Sequence, residues 1–296
     1  MRQIIVILGP TAAGKSALGV ALAKKFKGVV VSADSRQVYR GLNIGTAKIT
    51  RLEMKGVPHF LLDVASPHSQ YSVACYVREF NQIIKYIPAH QPIFLVGGSP
   101  FYIKAVTTPG AFSLVPPNPK LRRRLESQST KQLLNQLTKL DPDRAHSVDT
   151  ANRRRLIRAI EIASAPLKPS DSVDNQVPFQ ILKIGIIISR RELYQRIDQR
   201  IKSRVDRIIT ETKNLHLQGL SWRRLEAFGL EYRFASRLLR GQLTRSEMVY
   251  QLKNSTHDFA RRQLTWWRRE VDIHWCRNQT AASQKIKTFL KKTGRG

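Results

Sequence analysis

Only two cysteines, Cys75 and Cys276, occur in the 296 residues, and neither stands in a C-x-x-C or His-rich setting. That excludes a disulfide framework and a zinc site. Long apolar runs are missing as well. The N-terminus "MRQIIVILGP" turns at a glycine after a short apolar stretch, too short for a spanning helix or a secretory signal. It is expected to be a buried strand of a soluble, cytoplasmic protein. Internal repeats and long low-complexity segments are also absent. Acidic side chains are scarce: 21 Asp and Glu stand against 51 Lys and Arg, a formal net charge of +30. Such an excess attracts polyanions, nucleic acid first, because each neutralised phosphate releases a condensed counterion. A basic surface kept for solubility is the alternative. No basic amphipathic segment stands apart from the apparent core, which argues against a membrane partner.

With 42% hydrophobic residues the chain can bury a sizeable core. Apolar runs at 4–8 ("IIVIL"), 28–33 ("GVVVSA"), 92–98 ("PIFLVGG") and 181–189 ("ILKIGIIIS") read as buried parallel strands. Helical stretches such as "KSALGVALAKKF" and "SVACYVREFNQIIKYI" lie between them. The expected fold class is α/β: a P-loop-type doubly wound parallel sheet, with ligands at the carboxyl ends of its strands. Between 112 and 180 the pattern holds two or three helices, no strand, and proline-rich borders (Pro116, Pro117, Pro119, Pro166, Pro169, Pro178). Residues 1–111 and 181–296 are therefore expected to form the core and 112–180 an all-helical insertion domain. Beyond 190 the chain is expected to be helical to a frayed end.

"GPTAAGKS" supplies Gly9, Pro10, Thr11, Ala12, Ala13, Gly14, Lys15 and Ser16 in the G-x-x-x-x-G-K-[ST] spacing, after a strand and before a helix. Backbone N–H groups and Lys15 suit a diphosphate or nucleotide, and the Ser16 hydroxyl suits Mg²⁺; a glycine turn without ligand is the alternative. The next strand ends at Asp34, a carboxylate able to accept a proton or to hold magnesium-bound water, or else to form an Asx turn. A switch or motor NTPase would carry a further strand ending in Asp, whereas "PIFLVGGS" ends in two glycines and Ser99. Arg196, Arg200 and Arg204, four apart, form a ladder suited to phosphates, or a solvated face paired with Asp198 and Asp206. In "FARRQLTWWRRE", Trp266 and Trp267 stand among arginines and suit base stacking or core packing.

The stretches "GPTAAGKS", "SADSRQVYRGLNIGTAK", "PHFLLD", "YSVACY", "LVGGSPFYIKA", "NRRRLIRAIE", "YQRIDQRI" and "ARRQLTWWRR" run over nearly the whole chain. In that order they resemble the tRNA dimethylallyltransferases, also called tRNA isopentenyltransferases. The resemblance implies transfer of a dimethylallyl group from dimethylallyl diphosphate to the N6 amine of the adenine 3′-adjacent to the anticodon. It implies Asp34 as general base, Thr11 facing the donor, Arg200 on the diphosphate, and Ser16 with Ser99 near Mg²⁺. It implies tRNA contacts at 34–37 (Asp34, Ser35, Arg36, Gln37), at 154–158 (Arg154, Arg155, Leu156, Ile157, Arg158) and at 261–268 (Arg261, Arg262, Gln263, Trp266, Arg268). The run "LRRRLE" adds Arg122 and Arg124. The insertion resembles a domain that closes over the tRNA anticodon stem, and a monomer without an obligate protein partner is expected. Ser99-Pro100 stands where Thr-Gly is usual, Cys75 where aspartate is customary, and "EAFGLEYR" is a variant of a glycine-tyrosine segment. A P-loop small-molecule or nucleoside kinase, or a non-catalytic RNA-binding module, shares parts of this pattern. The charge argues against the first, and the combination of loop, Asp34 and Arg200 against the second.

Overall fold

The computed structural model describes residues 1–108, 110, 112–113, 115–166 and 179–293. Pro169 and Pro178 lie outside them. Contacts divide the chain into one unit of Met1–Thr107 with Val177–Gly296 and a second of Thr108–Gln176.

The first unit opens with β1 (Arg2–Leu8), α1 (Lys15–Lys25), β2 (Val29–Ser32), α2 (Arg51–Met54), β3 (His59–Phe60), α3 (Val73–Tyr86), β4 (Ile93–Val96) and α4 (Pro100–Thr107). The second contains α5 (Pro119–Glu126), α6 (Thr130–Leu140), α7 (Pro142–Ser147) and α8 (Arg153–Ala163). The chain then returns through β5 (Phe179–Ile186), α9 (Arg190–Leu217), α10 (Trp222–Ala227), α11 (Leu230–Leu239), α12 (Arg245–Trp267), β6 (Ile273–Cys276) and α13 (Gln279–Thr293).

All six strands are parallel, in the order β3-β2-β4-β1-β5-β6. Ile4 to Leu8 are fully buried, as an apolar run covered on both faces requires. The chain leaves β1 toward one edge and later adds β5 on its other side. The crevice this reversal opens lies at the carboxyl end of β1, where the phosphate loop begins. Among the described residues, apolar clusters hold the elements around the sheet, α1 and α13, among α9, α11 and α12, and inside the helical unit.

Three expectations need correction. The region beyond 190 is not wholly helical, because Ile273 and Cys276 are buried in a short edge strand beside β5. Its polar His274 breaks the apolar run that signals a strand. The C-terminal segment does not fray within the described residues: α13 runs to Thr293, with Ala282 and Ile286 fully buried. The helical unit has four described helices, the short α7 being started by Asp141 and Pro142.

Candidate active site

The phosphate loop spans Gly9 to Ser16. Most helices of this protein start with a side-chain cap, among them α3 on Ser72, α9 on Ser189 and α12 on Thr244. Helix α1 has none: its N-cap is Gly14, so the first N–H groups stay open to an anion. Lys15 folds back over the loop and donates to the Pro10 carbonyl at 2.7 Å. Burial lowers its ammonium to about 8, opposed by the nearby Asp34 and reinforced by Arg200.

Gln263 of α12 clamps the loop from the far side. Its Oε1 accepts the Thr11 N–H at 2.8 Å and its Nε2 donates to the Gly98 carbonyl at 2.9 Å. With its amide so engaged and only 6% exposed, Gln263 positions the loop, and it also lines the smaller of the two cavities described below. At Gly97, where β4 ends, a Cβ would come within 2.1 Å of the Ala33 carbonyl oxygen, so only glycine allows this approach to the end of β2. The Ser99 hydroxyl accepts the Ser35 N–H at 3.0 Å and thereby fixes the loop that carries Asp34.

Asp34 stands in the wall shared by two cavities. The larger, about 530 Å³, is lined by the phosphate loop with Ser16, by Glu53 and Lys55, and by Arg196, Arg200 and Arg204. The ladder thus opens on the loop. Its supposed acidic partners turn to other helices: Asp198 to Lys253 and His257, Asp206 to Arg245. The smaller cavity, about 240 Å³, is lined by Ser35, Arg36, Ser99, Phe228, Leu230, Glu231 and Phe259. Both share Thr11, Lys15, Asp34, Thr46 and Arg200.

Arg200 donates to the Thr11 hydroxyl at 3.0 Å. Burial lowers its guanidinium from the ordinary value, with Glu231 and Asp34 opposing and Arg204 adding to the fall. Burial raises the Glu231 carboxyl, against the pull of Arg200. One Asp34 oxygen, Oδ1, accepts the N–H groups of Arg36 at 2.8 Å and Gln37 at 3.4 Å. The Asx turn and the cavity-facing carboxylate are therefore both realised. Lys15 and the three arginines outnumber Asp34 and Glu53 on the donor side, leaving a cationic cavity that an anion neutralises.

The residues expected to contact nucleic acid differ in exposure and in their partners within the protein. Gln37 donates through its amide to the Thr46 and Ala47 carbonyls, each at 3.3 Å. Leu156 is fully buried and Ile157 is 7% exposed, so both belong to the core of the helical unit. In that unit Arg122 and Arg158 converge on Glu161, at 2.7 and 3.3 Å, while Arg155 reaches Asp149 at 3.2 Å. Arg124 and Arg154 face solvent, as do Arg262 and Arg268. Arg261 is also exposed and pairs with Asp258 at 3.0 Å. Trp266 is half-buried with its ring 5.4 Å from that of Phe101, and core packing claims its neighbour Trp267. Sequence reading missed Thr46, Glu231 and Phe259 as wall residues. Thr46 lay in the quoted motif "GLNIGTAK"; Glu231 is an acid in the variant segment "EAFGLEYR".

The IPP transferase family model matches residues 37–270. This chain belongs to that family. It is 42% identical to "tRNA dimethylallyltransferase 2" of Trichlorobacter lovleyi over 92% of this chain and 91% of that protein. It is 37% identical to the tRNA dimethylallyltransferase of Anoxybacillus flavithermus over 92% of this chain and 89% of that protein. The crystal structure of the Bacillus halodurans tRNA isopentenylpyrophosphate transferase superposes with a TM-score of 0.73 at 32% identity, covering 100% of this chain and 99% of that one. A eukaryotic dimethylallyltransferase described as acting on tRNA gives 0.76 at 26% identity, covering 94% of this chain and 74% of that one. These likenesses favour prenyl transfer over the kinase reading. Among the described residues, no helix is long and apolar enough to cross a membrane.

Proposed function

We propose that this enzyme transfers a dimethylallyl group from dimethylallyl diphosphate to the exocyclic N6 amine of the adenine 3′-adjacent to the anticodon of a tRNA, releasing diphosphate. The observation that carries the reading is the placement of Asp34 where a cationic cavity meets a partly apolar one. The diphosphate lies on the loop, against Lys15 and Arg200. The adenine, taken out of its stack as enzymes acting on a base require, enters beside Phe259 and Leu230. The C–N bond to N6 forms as the C–O bond to diphosphate breaks, and the amine proton passes to Asp34. An aromatic amine is a weak nucleophile, so a proton acceptor on one side and cations for the leaving group on the other are both needed.

The residues fit a magnesium ion shared with the diphosphate. The exposed Ser16 hydroxyl opens on the donor cavity, and one or two protein oxygens suffice because Mg²⁺ keeps waters and takes phosphate oxygens. Ser16 would hold the ion, whereas Ser99 lines the other cavity. When bound, the ion neutralises charge on the leaving group. In the first unit the exposed Arg262 and Arg268 at the end of α12 are suited to phosphate contacts with the anticodon stem-loop, and in the helical unit Arg124 and Arg154 are likewise exposed. One chain carries every group this reaction uses, which favours a monomer.

The test is incubation with tRNA and either prenyl-labelled dimethylallyl diphosphate or γ-labelled ATP. Label from the prenyl donor is expected on a single adenosine. Label transferred from ATP alone would replace this reading with the kinase one.

A further inference from the structure

One carboxylate outside both cavities accepts four described hydrogen bonds, against two for Asp34. Glu211 lies on α9, three turns beyond Arg200. Its Oε2 accepts the N–H groups of Asn43 at 3.0 Å and Ile44 at 2.7 Å. Its Oε1 accepts the Gly45 N–H at 3.1 Å and the Tyr232 hydroxyl at 2.6 Å. Three successive backbone N–H groups make an anion-binding nest, and a side chain of the same protein fills it. The backbone leaving that nest is Thr46 and Ala47, whose carbonyls both accept from the Gln37 amide, and the Gln37 N–H donates to Asp34 Oδ1. A continuous chain of hydrogen bonds and backbone therefore joins Glu211 to Asp34. Tyr232 seals it: its ring, 1% exposed, covers Gly45, where a Cβ would come within 2.6 Å of Cζ. Burial and Glu211 push the Tyr232 phenol far up, so it remains a donor.

We propose that Glu211 is a positioning residue for Asp34, setting the general base's orientation through the Asn43–Ala47 loop and Gln37. The proposal rests on Asp34 receiving the adenine proton. Glu211 lines a groove behind the loop and touches neither cavity that holds Asp34. An ionised acceptor is required, because an amide at this position would turn one acceptor oxygen into an NH₂ group facing N–H donors.

The experiment compares single-turnover prenyl transfer, donor affinity and tRNA affinity in Asp34→Ala, Glu211→Gln, Gln37→Ala and the Glu211→Gln/Gln37→Ala double variant. Glu211→Gln is expected to slow transfer about tenfold, with both affinities kept within about twofold. The double variant is expected to be no slower than the slower single one, because both act through one path. The acid limb of the pH–rate profile is expected to move to higher pH in Glu211→Gln, since a carboxylate with a weaker N–H partner protonates more readily. Loss of the Glu211 charge alone would move that limb the other way. Of the titratable and charged groups around Asp34 (Lys15, Lys48, Tyr76, Tyr102, Arg200, Glu231, and Arg36 beside it), Lys48 also feels the Glu211 charge, which holds its ammonium up. Tyr232→Phe, which removes a single hydroxyl, serves if Glu211→Gln does not fold, with about a threefold loss and the same direction of limb. Wild-type rates in the folded variant, additive losses in the double, or a fall in melting temperature and both affinities without the upward limb would overturn the proposal. Wild-type transfer by Asp34→Ala would instead remove the general base itself, and so the reading beneath the proposal.

Discussion

Helix α9 and the helical unit are both rich in arginine, yet they use it in opposite ways. On α9, Arg196, Arg200 and Arg204 open on the donor cavity, and among the described residues only Arg196 of the three makes a direct ion pair, with Glu192 at 2.6 Å. In the helical unit, Arg122 and Arg158 turn inward to Glu161, whose side chain is fully buried, and Arg153 donates to the carbonyls of Leu125, Glu126 and Gln128. Burial alone would push the Glu161 carboxyl up, but the hydrogen bonds from Arg122, Asn118 and Arg158 outweigh it and hold it below the usual range. The first set leaves cationic charge unmatched for a ligand. The second uses its charge to tie α5 to α8. What separates them is helical phase against the nearest core, not local composition.

Arg200→Ala should break the first half of this comparison, lowering kcat/KM for the prenyl donor about 10²-fold with tRNA affinity near wild type. Steady-state kinetics in each substrate checks it. A variant that lost only tRNA binding would move Arg200 to the other class. Glu161→Gln tests the second half. It should destabilise the helical unit by about 2–3 kcal/mol, at the low end for a buried pair because Arg122 and Arg158 keep some water contact. Hydrogen exchange over residues 118–163 reports the loss. The carboxyl is held low in the fold, so its contribution is present above the ordinary carboxylate range and disappears as pH falls through the depressed value.

The lysine of the phosphate loop predicts a pH effect of similar size. Lys15 is charged below about pH 8 and loses its proton as pH rises through that value. Donor kcat/KM should therefore fall about tenfold per pH unit above it, and Lys15→Arg should abolish the fall. The smallest effects belong to the outward arginines. Arg124→Ala and Arg154→Ala should each flatten the log–log salt dependence of tRNA binding by somewhat under about one unit. Arg158→Ala should lower melting temperature instead. Anticodon stem-loop titrations at several salt concentrations, beside melting curves, separate the two kinds.

The runs "LRRRLE" and "NRRRLIR" explain what was legible in the sequence and what was not. Motif spacing located the phosphate loop, Asp34 and the ladder because neighbours in sequence act together there, and apolar runs located the four central strands. Whether an arginine in a run points inward depends on the phase of its helix against a distant core, so spacing alone could not show that Arg122 and Arg158 pair with Glu161 or that Leu156 is buried. The clamp made by Gln263 was not legible for a related reason: its partners Thr11 and Gly98 lie far back in the chain, and only the packing of α12 on the sheet brings them together. The edge strand β3 is too short, at two residues, to carry a pattern, and in β6 the exposed His274 breaks the apolar run.

The most direct test of the account is single-turnover transfer by Asp34→Ala with donor and tRNA both prebound, measured beside its tRNA affinity. The account predicts a chemical step slower by about 10²- to 10⁴-fold, the range of a lost general base, at near wild-type tRNA affinity. Transfer at close to the wild-type rate would contradict it.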